Sequence, residues 1–249
     1  MAQLDDIRRW WDEDAAVYDD APNHNPRSGP ERAAWTAAIE QLLPPVPARV
    51  LDCGAGTGFL TLIAARLGHQ VTAIDLSAGM LGRLEAKAAA EGLTGRIEVV
   101  HASAAEPPPG SWDVAMERHL LWTLPDATAA LGAWRGVARR LVLIESLWGS
   151  ADPWVRVRAR LASDFDRWQR RPNDHHAEYP EDLRSSLPLG RGTSPGQLIE
   201  AVEAAGWLAP RLVRLEGVEW AMRLRLSPMQ RLLGPTPRFA IAADDGGGR

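Results

Sequence analysis

The sequence predicts an α/β fold with a doubly wound, mostly parallel sheet. Two observations predict it: short apolar runs alternate with helical segments over residues 49–148, and a glycine-rich turn directly follows the first apolar run. Strands that alternate with helices in this way form parallel βαβ units. The 249 residues are enough for one such domain with a sizeable core.

Two helices are predicted before the first strand, at residues 4–18 and 30–43. A loop rich in proline and asparagine, APNHNPRSGP, separates them, and PPVP ends the second helix. We assign residues 1–45 to an N-terminal helical cap.

Five strands and three helices are predicted within residues 46–149, the core of the domain. The strands are RVLDC, QVTAIDL, RIEVVHA, WDVAMER and RLVLIESLW. The helices are GTGFLTLIAARLG, which Gly68 ends, SAGMLGRLEAKAAAEG, for which Ser77 is the expected N-cap, and PDATAALGAWRGVAR.

The alternation stops at residues 150–190, which contain RRPNDHHAEYPEDL and lack strand character, so we predict a helical lid insertion there. Residues 191–243 then supply a helix, SPGQLIEAVEAAGW, a strand or hairpin arm, PRLVRLEGVEWAMRL, and a last strand, PRFAIAA. Residues 244–249 are predicted to be a disordered tail. Residues 1–249 are expected to form a single domain.

The composition argues against several classes of partner. The formal net charge is −4 and the pI is about 5.9, so no broad basic surface would attract nucleic acid or an anionic membrane. Cys53 is the only cysteine, which excludes an internal disulfide and a thiolate metal cluster, and we expect it to pack in the core. Neither a signal peptide nor a bilayer-spanning run is visible. We therefore expect a cytoplasmic protein.

The turn after the first strand reads DCGAGTG, with Gly54, Gly56 and Gly58 at alternate positions. In an open α/β sheet such a turn lies at the carboxyl ends of the strands, where ligands bind. A dinucleotide would ask for G-x-G-x-x-G, but Phe59 occupies the third position and Asp52 would disfavour a pyrophosphate. A zwitterionic amino-acid group would suit Asp52 and the N-terminus of the next helix.

A second acid, Asp75, follows Gly54 by 21 residues and ends the next apolar run. An acid at this distance binds ribose hydroxyl groups in related folds. Ribose together with an amino-acid arm, and without phosphate, describes S-adenosyl-L-methionine.

Residues 46–149 resemble the core of class I S-adenosylmethionine-dependent methyltransferases, because VLDCGAGTGFLTLIAARLGHQVTAIDLSAGML carries the first two motifs of that family in register. The resemblance implies a seven-stranded sheet in the order 3-2-1-4-5-7-6, with an antiparallel last strand, and S-adenosyl-L-methionine as the cofactor. Members of the family usually place an acid after the third strand, where this chain has Ser103. Ser103 and the Ala104 backbone are the expected adenine contacts, with Glu106 as a substitute.

The resemblance implies a set of cofactor contacts around the turn. Met80 could pack on the adenine or simply fill the helix core. The expected contacts are Trp11, Tyr18, Asp52, Gly54, Gly56, Gly58, Asp75, Leu76, Met80, Ser103, Ala104 and Glu117.

The fourth strand ends in MERHLLW, and in this fold that end faces the methyl group. A base is needed only where the acceptor must lose a proton, because methyl transfer otherwise depends on positioning. His119 is the first candidate for that base, since its ordinary pKa is about 6.5, and the alternative is that it shapes the loop. Arg118 either binds an acidic group of the substrate or pairs with Glu117. A single acid here does not predict a metal site.

The N-terminal stretch RRWWDEDAAVYDDAPNH resembles the WDxxAxxYD opening of many small-molecule methyltransferases. That resemblance implies that Trp11 and Tyr18 line the methionyl end of the cofactor, with plain helix packing as the alternative. Tyr18 and His24 are further catalytic candidates, and His24 ranks below His119.

Aromatic side chains near the predicted pocket suit a flat or lipophilic small molecule, although tryptophans can equally fill the core of the lid. We predict methyl transfer from S-adenosyl-L-methionine to O, N or C of a small molecule of specialised metabolism. A protein or RNA methyltransferase, or a non-catalytic protein that binds the cofactor, is the alternative. The candidate acceptor-binding residues are Arg118, His119, Trp122, Trp148, His175 and Tyr179.

Overall fold

The computed structural model describes residues 2–20, 24–147, 157, 181–190, 192–233 and 236–247. The strands within those residues are β1 (Arg49–Cys53), β2 (Gln70–Asp75), β3 (Ile97–His101), β4 (Val114–Arg118), β5 (Arg140–Ser146), β6 (Leu208–Arg214) and β7 (Arg238–Asp244). They form a seven-stranded sheet in the order β3-β2-β1-β4-β5-β7-β6. Strands β1 to β5 pair in parallel, and β7 is antiparallel to β5 and β6, which confirms the predicted fold class.

Helices flank the sheet on both faces. Two short 3-10 turns, Tyr18–Asp20 and Leu121–Thr123, lie next to the carboxyl edge of the sheet. The helices in the described residues are α1 (Ala2–Asp14), α2 (Gly29–Leu42), α3 (Phe59–Leu67), α4 (Ala78–Ala90), α5 (Ala127–Arg135), α6 (Glu181–Ser186), α7 (Pro195–Ala204), α8 (Glu216–Arg223) and α9 (Pro228–Leu233).

Local signals in the sequence set the ends of the helices around the site. Ser77 Oγ accepts a hydrogen bond from the Met80 N–H at 3.1 Å, so Ser77 caps α4 as predicted. Gly68 ends α3 in the left-handed conformation, with a φ of 108°. Ser194 and Gln197 form a reciprocal capping box at the start of α7.

Two apolar layers hold the helices against the sheet. Trp134 of α5 and Val202 of α7 pack on one face, where Cys53 is fully buried. Burial raises the pKa of the Cys53 thiol well above its ordinary value, in keeping with a packing role. Trp35 of α2 and Ile63 of α3 pack on the other face. Burial on both faces explains why the strands read as nearly continuous apolar runs.

The strand or hairpin arm predicted at residues 210–224 is wrong in its second half, because β6 ends at Arg214 and α8 follows. Val218 and Ala221 lie three residues apart and are both buried, whereas Trp220 between them is 63% exposed. That spacing is helical, so packing against α2 decides the structure of the segment.

The C-terminal boundary and the lid also differ from the prediction. Asp244 ends β7, and the Asp245 N–H donates to the Arg139 carbonyl oxygen at 2.9 Å, so the ordered chain extends into the predicted tail. Of the predicted lid at 150–190, residues 157 and 181–190 are described, and the latter contain α6. No helix in the described ranges has the length and apolar character needed to cross a lipid bilayer.

Candidate cofactor and acceptor site

A cavity opens at the carboxyl edge of the sheet, beside the glycine turn, and comprises about 680 Å³ of empty space, part of which is open to solvent. The turn, the ends of β2 and β4, and the cap helix α1 contribute its walls. Predicted site residues that lie outside this lining are Asp52, Gly58, Glu117, His24 and Trp122. The lining consists of Leu4, Ile7, Trp11, Tyr18, Gly54, Gly56, Asp75, Leu76, Met80, Ser103, Ala104, Arg118, His119, Leu120, Thr123 and Leu124.

The glycines of the turn have different surroundings. Gly56 has a φ of 54°, lines the cavity, and has open space where a Cβ would stand. Gly58 has a φ of 92°, and its Cβ would lie 2.3 Å from Leu84 Cδ1 of α4. Gly58 therefore has a packing role, since this glycine lets α3 and α4 approach each other, and its contact with the cofactor stays a prediction.

Asp75 joins the end of β2 to the glycine turn. Its carboxylate accepts hydrogen bonds from the Gly56 N–H and the Ser77 N–H, each at 2.8 Å. Burial raises the pKa of Asp75, and these backbone donors oppose the increase. Because Gly56 already donates to a carboxylate, the turn does not offer this N–H to a pyrophosphate, which agrees with the prediction that no dinucleotide binds here.

Asp52 and Glu117 were predicted to contact the cofactor, but the structure buries their carboxyl groups outside the lining of the cavity. Asp52 is 1% exposed and accepts a hydrogen bond from Thr61 Oγ1 at 2.5 Å. Burial raises the pKa of Asp52 to about 7. Glu117 is fully buried and accepts a hydrogen bond from the Leu120 N–H at 2.8 Å. Both carboxyl groups point into the protein because alternate side chains of a strand face the packed helices.

Leu76, Met80, Ser103 and Ala104, which are predicted to contact the cofactor, all line the cavity. Ser103 Oγ accepts a hydrogen bond from the Ala105 N–H at 3.2 Å. The Ala104 carbonyl oxygen accepts one from Trp134 Nε1 at 2.7 Å, so the core already uses that oxygen. Glu106 is exposed and lies outside the lining, which argues against its predicted substitution for the family's acid.

The cap supplies aromatic side chains to the cavity wall. Trp11 and Tyr18 both line it, at the positions the sequence predicts, with their ring centres 6.0 Å apart. Burial raises the pKa of the Tyr18 phenol to about 12, so Tyr18 stays neutral and can donate a hydrogen bond but cannot act as a base. His24 stacks on Tyr18 at 3.9 Å between ring centres, and its Nδ1 lies 2.7 Å from the Tyr18 carbonyl oxygen. That placement, outside the cavity lining, argues against a catalytic His24.

Two acids of the cap hold it over the turn. Asp12 accepts a hydrogen bond from Ser77 Oγ at 2.5 Å. Asp19 accepts from Thr57 Oγ1 at 2.6 Å and lies 2.7 Å from Lys87 Nζ. Burial opposes ionisation of Asp19, but the hydrogen bonds from Lys87 and Thr57 hold its pKa below the ordinary value. A carboxylate of the protein thus stands beside the start of α3, where we expected the carboxylate of the cofactor.

His119 lies directly after β4 and lines the cavity. It adopts a φ of 59°, in the left-handed region, and its N–H donates to the Ile144 carbonyl oxygen at 3.2 Å. Its Nδ1 lies 2.9 Å from Glu145 Oε2. Burial, together with the charges of Arg118 and Arg238, lowers the pKa of His119 well below 6.5, so the imidazole is neutral at neutral pH.

Glu145, the partner of His119, is a site residue that was not predicted from the sequence. It lies on β5, is fully buried, and burial raises its pKa to about 8. Glu117 on β4 adds a second buried carboxyl group nearby, and burial together with the charge of Glu145 raises the pKa of Glu117 well above its ordinary value. The available signal was an acid at the end of the apolar run RLVLIES, since the ends of adjacent parallel strands meet at one edge.

Arg118 lines the cavity on its other side. Its guanidinium carbon lies 4.0 Å from the ring centre of Phe59 and 5.5 Å from that of Trp35, which are cation–π contacts. Glu117 precedes it on β4 and faces the opposite side of the sheet, so the predicted pairing with Glu117 is replaced by this aromatic stacking.

The other acceptor residues predicted from sequence contribute less. Trp122 packs in a small cluster with Ile7 and Leu187 and lies outside the cavity lining. Trp148, His175 and Tyr179 lie outside the described residues. Within the part of the chain that is described, no group of three or more His, Cys, Asp or Glu side chains could hold a metal ion.

Comparisons with known proteins agree with this geometry. A sequence profile described as "Methyltransferase domain" matches residues 50–140. The ubiquinone biosynthesis O-methyltransferase of Xanthomonas axonopodis pv. citri (strain 306) is 38% identical over 127 residues, which cover 50% of this chain and 49% of that protein. The chain thus spans about half the length of the curated relatives it matches.

Solved structures share the fold at low identity. Magnesium protoporphyrin IX methyltransferase from Synechocystis PCC 6803, with bound SAH, superposes with a TM-score of 0.60 at 15% identity, covering 96% of this chain and 98% of that one. Geranyl diphosphate C-methyltransferase from Streptomyces coelicolor A3(2) superposes with a TM-score of 0.62 at 14% identity, covering 98% of both chains. These structures show that the chain shares their fold, and the profile match over residues 50–140 agrees with the resemblance to class I S-adenosylmethionine-dependent methyltransferases that the turn from Asp52 to Gly58 predicts.

Proposed function

We propose that this protein is an S-adenosylmethionine-dependent O-methyltransferase that acts on a hydroxyl group of a small molecule. The observation that carries the proposal is the pair of His119, which lines the cavity, and the buried Glu145, with 2.9 Å between Nδ1 and Oε2. Methyl transfer to a hydroxyl group requires that its proton leave, and a neutral imidazole can accept that proton.

The cavity fits a nucleoside that bears an amino-acid arm. Asp75 has two backbone donors and can still accept hydrogen bonds from ribose hydroxyl groups, while Met80 and Leu124 offer apolar surface to a base. The open space above Gly56 admits a ligand close to the backbone. When bound there, S-adenosylmethionine supplies an electrophilic methyl group.

His119 and Glu145 share a proton between Nδ1 and Oε2. When Glu145 is ionised, the proton resides on Nδ1, and Nε2 has a lone pair that can accept the hydroxyl proton. The carboxylate then stabilises the imidazolium that forms, as in other orienter–base pairs. Because the pKa of Glu145 is about 8, the active form becomes more populated as the pH rises through about 8.

A phenolic hydroxyl is the acceptor that best matches this base. Phenols lose a proton with a pKa of about 10, far below that of alkyl alcohols, so a weakly basic imidazole can remove it. A small molecule is favoured over nucleic acid because the net charge is −4. A cytoplasmic location stays a prediction of the sequence.

The decisive experiment measures methylation of a panel of phenols and catechols by mass spectrometry. In parallel, calorimetry measures the binding of S-adenosylhomocysteine (SAH), the demethylated product of the cofactor. We expect His119→Ala to lower turnover by roughly 10²- to 10⁴-fold without changing SAH affinity. Glu145→Gln should remove the rise of rate with pH through about 8. SAH binding without turnover of any panel member would contradict methyl transfer to phenols, and a wild-type rate independent of pH would contradict the role of the pair.

A further inference from the structure

The main chain at His119 adopts a conformation that few residues with a side chain adopt. Its φ of 59° lies in the left-handed region, where the Cβ crowds the neighbouring peptide group. A strained residue of this kind persists only where the surrounding structure holds it. The contacts on either side of His119 therefore decide where the imidazole of the candidate base lies.

Glu117 holds the chain directly after the base. Its carboxyl group accepts a hydrogen bond from the Leu120 N–H at 2.8 Å, and Leu120 follows His119 in sequence. On the other side, the His119 N–H donates to the Ile144 carbonyl oxygen of β5 at 3.2 Å. The left-handed residue is thus fixed between a side chain of β4 and the main chain of β5.

Leu120 also connects the base to the glycine turn. A Cβ at Gly54 would lie 2.7 Å from Leu120 Cδ1, so the leucine side chain occupies the space that this glycine leaves free. Gly54 and Leu120 both line the cavity. Because the N–H of Leu120 is bonded to Glu117 and its side chain rests on Gly54, the turn that carries His119 keeps one position relative to the turn predicted to bind the cofactor.

Burying a carboxyl group at position 117 is unfavourable, and the structure does so completely. Burial and the charge of Glu145 raise the pKa of Glu117 well above its ordinary value, and the hydrogen bond from the Leu120 N–H opposes this increase. An apolar side chain would avoid the cost of burial but would leave that N–H without its acceptor. Since Glu117 lies outside the cavity lining, the main chain beside His119 is what its carboxyl group serves.

We propose, on the basis of the methyl transfer argued above, that Glu117 is a positioning residue, which fixes the left-handed turn that places His119 in the cavity wall. Glu145 orients the imidazole ring at Nδ1, and Glu117 fixes the main chain that carries the ring. Transfer of the hydroxyl proton to Nε2 depends on the distance and direction between the two groups, so a loosened turn slows the reaction. Glu117 touches neither the acceptor nor the cofactor, so their binding should change much less than the rate.

Two substitutions of similar size separate the hydrogen bond from the packing of the side chain. Glu117→Gln keeps an oxygen that can accept the Leu120 N–H, whereas Glu117→Met removes the acceptor. With a phenol that the wild type methylates, we expect kcat of the Met variant to be roughly ten- to a hundredfold below that of the Gln variant, with a much smaller change in KM. Glu85→Gln, which makes the same change of residue at an exposed position of α4, should keep the wild-type kcat.

NMR spectroscopy locates the proton of the imidazole without any turnover. In the SAH-bound wild type at pH 9, where Glu145 is mainly ionised, long-range ¹H–¹⁵N correlations should show the His119 proton on Nδ1. His119→Gln identifies these signals by their loss. The Glu117→Gln variant should keep the Nδ1–H form, whereas Glu117→Met should give the mixture of neutral tautomers that an exposed histidine shows. SAH affinity checks the fold of each variant, and Glu117→Ala replaces a Met variant that does not fold.

A double variant distinguishes positioning of the base from damage elsewhere. Because Glu117 acts through His119, Glu117→Met should cause little further loss of turnover in the His119→Ala background. The proposal is overturned by a folded Met variant that matches the Gln variant in kcat or keeps the Nδ1–H form, by a full further loss in the double variant, or by a wild type without the Nδ1–H form. A wild type that methylates no phenol would contradict the proposed function, and the NMR spectra would still decide the role of Glu117.

Discussion

At the scale of single residues, Gly58 is a position where backbone shape and packing are both demanding. Its φ of 92° is unfavourable for other residues, and a Cβ would lie 2.3 Å from Leu84 Cδ1. We expect Gly58→Ala to lower the free energy of unfolding by about 2–4 kcal/mol, the sum of backbone strain and overpacking. Urea denaturation measures the loss.

Gly82→Ala is the matched control, because Gly82 lies in α4 with nothing within 4 Å of the place where a Cβ would stand and no unusual φ. There alanine should stabilise by about 0.5–1 kcal/mol through helix propensity. A Gly58→Ala variant that is as stable as the wild type but binds SAH more weakly would contradict the packing role and support the predicted contact of Gly58 with the cofactor.

The sequence predicts single site residues well where the backbone motif itself fixes them. Asp75 and Gly56 lie where the motif places them, because the turn and the end of β2 are local features. Asp52 belongs to the same motif, yet its carboxyl group bonds to Thr61, a partner that depends on how α3 packs. Glu145 was not predicted, because its contact with His119 joins two residues that are 26 positions apart in sequence.

At the scale of elements, the cap and the glycine turn form one unit held by Asp19. Its carboxylate accepts hydrogen bonds from Thr57 and Asn25 and pairs with Lys87, the only lysine of the chain. We expect Asp19→Ala to accelerate SAH dissociation about tenfold, since a cap that is held less firmly opens more often. Stopped-flow tryptophan fluorescence measures this rate.

Asp20→Ala serves as the control for the cap, because Asp20 is the exposed neighbour in the same 3-10 turn. An Asp19→Ala variant that releases SAH at the wild-type rate would show that the cap does not limit exchange of the cofactor.

The strands and helices were predictable wherever the apolar residues follow a single clear spacing, either that of a strand or that of a helix. The alternating strands and helices from β1 to β5 follow directly from apolar runs and glycine signals. The segment after β6 was not predictable in this way, because the apolar residues of VRLEGVEWAMRL are compatible with the spacing of a strand and with that of a helix. Burial of Val218 and Ala221 against the sheet and α2 selects the helix, and no local pattern conveys that contact.

At the scale of the whole molecule, buried carboxyl groups make stability depend on pH. Burial raises the pKa of Asp52 to about 7 and that of Glu145 to about 8, and Glu117 shifts in the same direction. The folded protein therefore retains protons that the unfolded chain has already released. Such a group stabilises the fold at low pH, and this contribution is lost as the pH rises towards the folded-state pKa.

The buried histidines make stability depend on pH in the opposite direction. Burial lowers the pKa of both His69 and His119, so their contribution is lost as the pH falls below about 6.5, where the unfolded chain takes up protons. Both imidazoles are neutral in the folded and unfolded states only above about pH 7.5, because the unfolded histidines are half protonated at about pH 6.5. A variant that changes a single carboxyl group keeps this histidine contribution, so its comparison with the wild type between pH 6.5 and 8 isolates that carboxyl group.

We expect the free energy of unfolding to fall across that interval, by about 1.4 kcal/mol per pH unit for each retained proton. Asp52→Asn should flatten the fall near pH 7, because the amide oxygen can still accept the Thr61 hydrogen bond but carries no proton to lose. Asp5→Asn, at an exposed site of α1, should leave it unchanged. Urea denaturation at pH 6.5, 7 and 8 decides the matter: a stability that rises with pH would mean that these carboxyl groups are ionised in the folded protein, and the proton shared by His119 and Glu145 would then reside on the imidazole.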